Sequence, residues 1–354
     1  MTPQTLPNDA PQNSPRHALP PNANKRLPAM PPPKQWLFGL VLTVCVLAAL
    51  EVFWRARGFQ PSVTDEPALW ALQRDRVEGA PPKTLVLLGR SRMLQSFVPA
   101  TFRELAPDWA HIQLAIDGKH CLGTLRDIAL NTSFSGVLLC EVTAPSFIPE
   151  TWDQQKPYLD FYYTQWNPLT RSARRLKSML QLRLTILLPD LLLQQALPQL
   201  LQGRLAPQFI LMHPDRIQEV NYRKVDIAWH TRHRLEDVIQ NYPAYLKLPG
   251  ARAWPAGLDT VDGWVRRIQA RGGRVVFLFP PTSGAYQQAQ EALMPRARYW
   301  DIIVSRTSAL ALHSEDIPEL QGIECAEGSH LFPEDCILFT RAITKELKSH
   351  DVLR

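Results

Sequence analysis

The sequence has no Cys-x-x-Cys pair, no phosphate-cradling glycine-rich loop and no internal repeat. The first absence leaves no recognisable zinc-ligand spacing, so no metal is expected. The second calls for no nucleotide cofactor, and the third excludes solenoid and propeller architectures. Lysine and arginine exceed aspartate and glutamate by 39 to 33, a formal net charge of +6. Part of that excess sits before residue 35. No recognition helix or aromatic–basic stripe accompanies it, so no nucleic-acid partner is expected. Only one apolar run is long enough to cross a bilayer.

What remains is a chain of 354 residues, 45% hydrophobic and 20% charged, sufficient for one large domain with accessory segments. Residues 1–34 are rich in proline, asparagine and glutamine. They are expected to form a disordered or polyproline tail, and Pro31-Pro32-Pro33 is read as a solvated run or an SH3-type docking motif. Residues 35–54 are expected to form a transmembrane anchor: Trp36 to Trp54 carries Glu51 as its only charge, with the two tryptophans at either end as interfacial anchors. Nineteen residues at about 1.5 Å each span roughly 28 Å, close to the hydrocarbon thickness. The bulky Val52-Phe53-Trp54-Arg55 does not suit a cleaved signal peptide. Arg16, Lys25, Arg26 and Lys34 precede this helix and Arg55 and Arg57 follow it, which favours a cytoplasmic tail and an extracytoplasmic main domain. The inner membrane is then a partner. Four cysteines, Cys121, Cys140, Cys325 and Cys336, would lie outside. They permit two disulfides or four thiols, and a Cys325–Cys336 bridge is the pairing expected first.

Residues 55–82 read as a juxtamembrane connector carrying one helix, and residues 83–354 as the main domain. Short uncharged strands at 84–88, 111–116 and 136–142 alternate with helical spacing, and the rhythm resumes with a strand at 274–279 and another at 309–313. This predicts an α/β fold, a parallel sheet with helices on both faces. Residues 158–250 break the rhythm and read as a mainly helical insertion. Its leucine- and glutamine-rich centre, 176–201, is interrupted by Pro189, Asp190 and Pro198, which excludes a second span. Two readings stand for that centre: helices packed on the core, or a lid or membrane-facing amphipathic element. His230 and His233 lie four residues or fewer apart, but nothing at ligand spacing completes a metal site. Ser283 is read as a loop-forming residue.

Two segments carry candidate chemistry. Ser91 follows the buried strand 84–88 and Gly89, where a hydroxyl is exposed beside helix-type N–H groups. Glu327 precedes His330 by three residues, in a loop before a helix starting at Pro333. A carboxylate can orient an imidazole that deprotonates a hydroxyl brought to it by the fold.

Together Gly89-Arg90-Ser91 and Glu327-Gly328-Ser329-His330 resemble the SGNH (GDSL-type) hydrolase superfamily over most of residues 83–347. Ile116-Asp117-Gly118 resembles its second block. The Gly-x-Ser-Arg-Met form and the Asp-Ile-Pro-Glu-Leu segment at Asp316 look like membrane-anchored relatives that accompany surface-polysaccharide machinery. The chain departs from the family in three places: Arg90 and Glu327 replace aspartates, and the Gly-x-Asn-Asp block is missing, Cys140-Glu141-Val142-Thr143-Ala144 standing in its place. The resemblance implies a flavodoxin-like three-layer sandwich with a Ser91–His330–Glu327 triad and the Gly118 N–H in an oxyanion hole. Asp117 and Arg92 would flank the substrate, with Arg92 either paired to a structural carboxylate or facing an anionic group. It further implies an esterase or O-acyltransferase working without a cofactor on a glycan or acylated envelope polymer, alongside other polysaccharide-modification proteins. A non-catalytic assembly subunit with the same fold, and a membrane scaffold that recruits partners, are the competing expectations.

Overall fold

The computed structural model describes residues 33–354, so the expected tail lies outside the described residues except for its last two positions. The chain divides into two compact units, Met1–Ala49 and Leu50–Arg354. The first contributes most of an apolar helix, Pro33–Ala56, whose outward side chains are exposed along its length. Its 24 residues rise about 36 Å, enough to cross a membrane.

In the second unit, five strands form one parallel sheet: β1 (Thr84–Leu88), β2 (Ala110–Gln113), β3 (Val137–Glu141), β6 (Arg274–Phe279) and β7 (Leu310–His313). Two further strands, β4 (Ile210–Met212) and β5 (Gln218–Val220), pair separately as an antiparallel hairpin. The main sheet runs in the order β2-β1-β3-β6-β7. This is the doubly wound arrangement in which the chain steps to one side of its first strand and then to the other. The central strands β1 and β3 are buried on both faces throughout, as parallel strands under helices must be, while the edge strands β2 and β7 are only partly covered. Val86, Leu88, Leu138, Cys140 and Phe277 face helices Leu122–Asn131 and Trp254–Gln269. Leu85, Leu87, Leu139, Val276 and Leu278 face the last helix, Pro333–Ser349, and the short helices after β1.

The insertion holds helices Lys156–Thr164, Pro168–Gln181, Leu193–Leu201 and Ile227–Leu246 together with the β4–β5 hairpin, which sequence periodicity did not foretell. Strands of three residues are too short to show alternation. Helices Gly284–Leu293 and Arg296–Arg306, between β6 and β7, complete the crossover. His233 stacks on Trp229 and His230 meets Trp229 edge-on, so both rings pack against aromatics.

A strap of 3-10 turns, Ala144–Phe147 and Pro149–Gln155, crosses from β3 to the insertion and lies directly on two helices. A Cβ at Gly123 would stand 2.1 Å from Trp152 O, and one at Gly257 would stand 2.2 Å from Phe147 O. Those backbone atoms cannot rotate away. Gly123→Ala and Gly257→Ala are each expected to cost about 1–3 kcal/mol in denaturant unfolding of the detergent-solubilised chain. Gly263→Ala, on the same helix as Gly257 but facing open space, should instead gain up to about 1 kcal/mol.

Candidate active site

The strand order places the carboxyl ends of β1 and β3 side by side where the winding direction changes, the position at which open α/β sheets hold ligands. β1 ends at Leu88 and the helix Ser91–Ser96 starts three residues later. β3 ends at Glu141, whose carboxylate is buried. Glu141 Oε2 accepts from the backbone N–H groups of Arg90, at 2.8 Å, and Met93, at 3.1 Å. Its other oxygen accepts from Arg92 Nε at 2.9 Å. The carboxylate thus caps a helix that lacks a capping side chain of its own. Gly89 makes the approach possible, because a Cβ there would lie 2.8 Å from Glu141 Oε2 and 2.5 Å from Met93 Cβ.

Burial by itself would raise the Glu141 pKa. The Arg92 and Arg90 charges and the backbone donors outweigh it and hold the group below the usual carboxylate range. Burial likewise works against the Arg92 charge, and Glu141 reverses the balance, keeping the guanidinium protonated.

The second loop is tied to the first through backbone. Beyond the end of β2, Leu114 N–H donates to Leu87 O at 2.9 Å and Ile116 N–H to Gly89 O at 3.0 Å. Lys119 N–H then closes a turn onto Ile116 O, with Gly118 at φ +66°, a conformation glycine favours. His120 anchors the far side of this turn. Its Nδ1 pairs with Ser146 Oγ at 2.9 Å, while burial and then the Arg90 and Arg92 charges keep its pKa well below the ordinary histidine value.

The third loop precedes the last helix. Ala326 N–H donates to His330 O at 2.7 Å, and Gly328 takes φ +93° with no room for a Cβ beside Tyr286. The expected Cys325–Cys336 disulfide is not formed. Both are free thiols, Cys325 Sγ turned to Pro281 O and Cys336 Sγ to Gln95 O. The loop is held instead by Ser283, whose N–H donates to Gly328 O at 3.0 Å and whose Oγ accepts from Cys325 N–H at 2.9 Å.

These loops bring Ser91, His330 and Glu327 into contact across 239 residues of sequence. Ser91 Oγ lies 2.8 Å from His330 Nε2, and Glu327 Oε1 is hydrogen-bonded to His330 Nδ1. A carboxylate only accepts, so Nδ1 carries the proton and Nε2 is the acceptor for the Ser91 hydroxyl. All three side chains are buried. Ser329 Oγ donates to Glu327 Oε1 at 2.6 Å, and Arg234 Nε approaches the same oxygen at 3.8 Å. Burial would raise Glu327, but the His330 and Ser329 hydrogen bonds and the Arg234 charge hold its pKa below the ordinary carboxylate value.

Ser91 and His330 open into a cavity of about 360 Å³ that Asp117, Gly118, Arg90, Arg92 and Glu141 also line. The opposite wall comes from the insertion helix Ile227–Leu246, through Arg234, Asp237, Asn241, Tyr242 and Tyr245. Glu141, Arg234 and Asn241 are site residues that sequence reasoning did not single out. Glu141 was legible only as a substitution at the missing third block, and the helix residues carried no motif. A larger cavity, about 580 Å³, shares Tyr242 but is lined by neither Ser91 nor His330. No protein-family model matches this chain, and no curated protein matches it, so the reading of the site rests on its own geometry.

Because the folded state holds Glu141 below its unfolded pKa, this group stabilises the fold above about pH 4.3 and the contribution is lost as pH falls through its folded value. Glu141→Gln should flatten that acid loss in unfolding experiments taken from neutral pH downward. Glu141→Ala, which strands a buried guanidinium, should cost about 3–5 kcal/mol at neutral pH.

Proposed function

We propose that this chain is a membrane-anchored SGNH-like serine enzyme, an acyl-ester hydrolase or O-acyltransferase acting on a glycan or cell-envelope polymer. The observation that carries the reading is the unbroken line Ser91 Oγ–His330–Glu327 at the switch point of the sheet. Ser91 Oγ attacks an acyl carbonyl as His330 Nε2 takes its proton, and the adjacent Glu327 carboxylate stabilises the imidazolium. The Ser91 and Gly118 N–H groups receive the developing oxyanion. As the carbon–oxygen bond to the leaving alcohol breaks, His330 returns its proton to that alcohol. Water or a sugar hydroxyl, deprotonated by His330, then attacks the acyl-enzyme and frees Ser91. A polar cavity with tyrosines, carboxylates and an amide along its walls suits a hydroxyl-rich ligand, the aromatic faces packing on sugar rings.

A second reading has one observation in its favour. The segment Cys140-Glu141-Val142-Thr143-Ala144, in the place of the family's third block, holds no asparagine, and its Glu141 lines the cavity as an acceptor. On that reading the chain is a non-catalytic subunit of a polysaccharide-modification complex. An active-site fluorophosphonate separates the two. Labelling of the wild type that Ser91→Ala and His330→Ala both abolish supports the enzyme. An envelope phenotype fully rescued by Ser91→Ala supports the subunit.

Kinetics give a sharper check once an acyl-ester substrate is in hand. Ser91→Ala and His330→Ala are each expected to remove nearly all activity, and the double variant to lose little more, since the residues act as a unit. Glu327→Gln should cost less, because an amide still orients the ring but supplies no charge. Multiplicative losses for Ser91 and His330 would contradict this mechanism.

The proposed topology puts residues 1–34 in the cytoplasm and the main domain outside it, where an envelope polymer is accessible. A reporter fused after Arg354 should be active outside the cytoplasm. Activity inside would reverse the orientation and remove the polymer from reach.

A further inference from the structure

Outside the first helix, exposed large apolar side chains gather in one part of the insertion, beginning at Leu176, Met179 and Leu180 and continuing beyond them. Leu182, Leu187, Leu192, Leu193, Leu197 and Leu201 are all exposed there, from 38% at Leu187 to 79% at Leu201. Exposed apolar surface gathered in this way marks a face that something covers.

The same segment is clasped to the carboxyl-terminal end of the apolar helix. Glu51 is the one charge within that helix's apolar run, and its carboxylate accepts from Thr185 N–H at 2.9 Å and Ile186 N–H at 3.0 Å. Arg55 bonds Glu51 at 2.6 Å and reaches Arg183 O at 2.7 Å. Beneath these bonds Trp54, Phe59, Leu191 and Ala196 are buried together. A carboxylate near the hydrocarbon boundary is costly unless it is paired, and the insertion supplies its donors. If residues 50–56 form the membrane-exit end of a spanning helix, the segment bonded to them stands at that boundary too. Arg183 within the stretch and Arg175 and Arg204 on either side of it are exposed, against one exposed carboxylate, Asp190, leaving a net positive charge that anionic headgroups attract.

We propose that residues 182–201 form an interfacial element whose exposed leucines insert into the bilayer from which the apolar helix emerges. The occupant of this face is lipid. The proposal goes beyond the functional reading and does not depend on Ser91 chemistry; it requires only that the apolar helix lies in a membrane.

The test uses the full chain in phosphatidylcholine–phosphatidylglycerol vesicles, labelled with the fluorophore NBD under native conditions. Cys121, Cys140, Cys325 and Cys336 are buried, whereas Cys45 in the apolar helix is exposed, so labelled wild type reports whether that helix is in the bilayer. Leu193→Cys and Leu197→Cys, each in a Cys45→Ala background, report the patch, and Val304→Cys is an exposed control elsewhere on the domain. Acyl-chain doxyl lipids are expected to quench most NBD emission at 45, 193 and 197, with blue-shifted spectra, and to leave 304 unchanged. Emission at 193 and 197 that matches 304 while 45 is quenched overturns the proposal and leaves the anchor intact. Shielding from aqueous iodide without doxyl quenching would assign the face to a protein or a second copy, and also overturns it. No quenching at 45 would sink the anchor and the interfacial element together.

Discussion

The position of Ser91 depends on one buried carboxylate. A six-residue helix cannot hold its own first turn, since too few of its backbone groups find partners within it. Glu141 supplies them from the neighbouring strand, taking Arg90 N–H, Met93 N–H and the Arg92 side chain at once. A neutral amide oxygen could accept from two of these donors at most. An ionised carboxylate satisfies all three and balances the Arg92 charge, which would otherwise stand against the positive end of the same helix. The arrangement leaves Ser91 lining the cavity with its hydroxyl against His330.

Everything else at the site follows from connecting three loops to that fixed turn. Extended backbone pairing through Ile116 and Gly89 sets the Gly118 turn beside Ser91, so their relative position does not rely on long side chains. Ser283, at the start of the helix after β6, holds the Glu327–His330 loop through its N–H, which donates to Gly328 O, and its hydroxyl oxygen, which accepts from Cys325 N–H. These ties are short and come from the carboxyl ends of adjacent strands. Such a scaffold gives small errors in placement, and acid–base and nucleophilic chemistry is sensitive to errors of about an ångström.

The parts of this architecture legible in the sequence were those with a local signature. Uncharged β-forming runs marked every strand of the main sheet to within a few residues, and the alternation with helices marked the layers. Ser91 and the Glu327–His330 pair stood out because each couples a reactive side chain to a turn or helix start. Glu141, by contrast, looked like the end of a buried strand, and its partners are backbone groups 48 and 51 residues away. Arg234 and Asn241 sit on a helix whose pattern says only that it is amphipathic. Their role depends on where the insertion lands, which no periodicity encodes. The Cys325–Cys336 expectation failed for a related reason: nearness in sequence around a loop does not fix the direction of either sulfur.

The insertion has two ends with different partners, and that division has a physical consequence. The helix Ile227–Leu246 forms one wall of the cavity, while residues 183–196 grip the end of the apolar helix through Glu51, Arg55 and Trp54. Ser91 and His330 belong to loops of the sheet, and the insertion reaches them through the Tyr222 ring packed against His330 and the Arg234 charge beside Glu327. The loops of the sheet supply Ser91 and His330, and the insertion supplies the facing wall of the cavity. On the proposed reading, changes in the insertion would alter which ligand enters and how the domain meets the membrane, while the Ser91–His330 contact persists. A fold divided in this way can change its substrate without rebuilding its reactive centre.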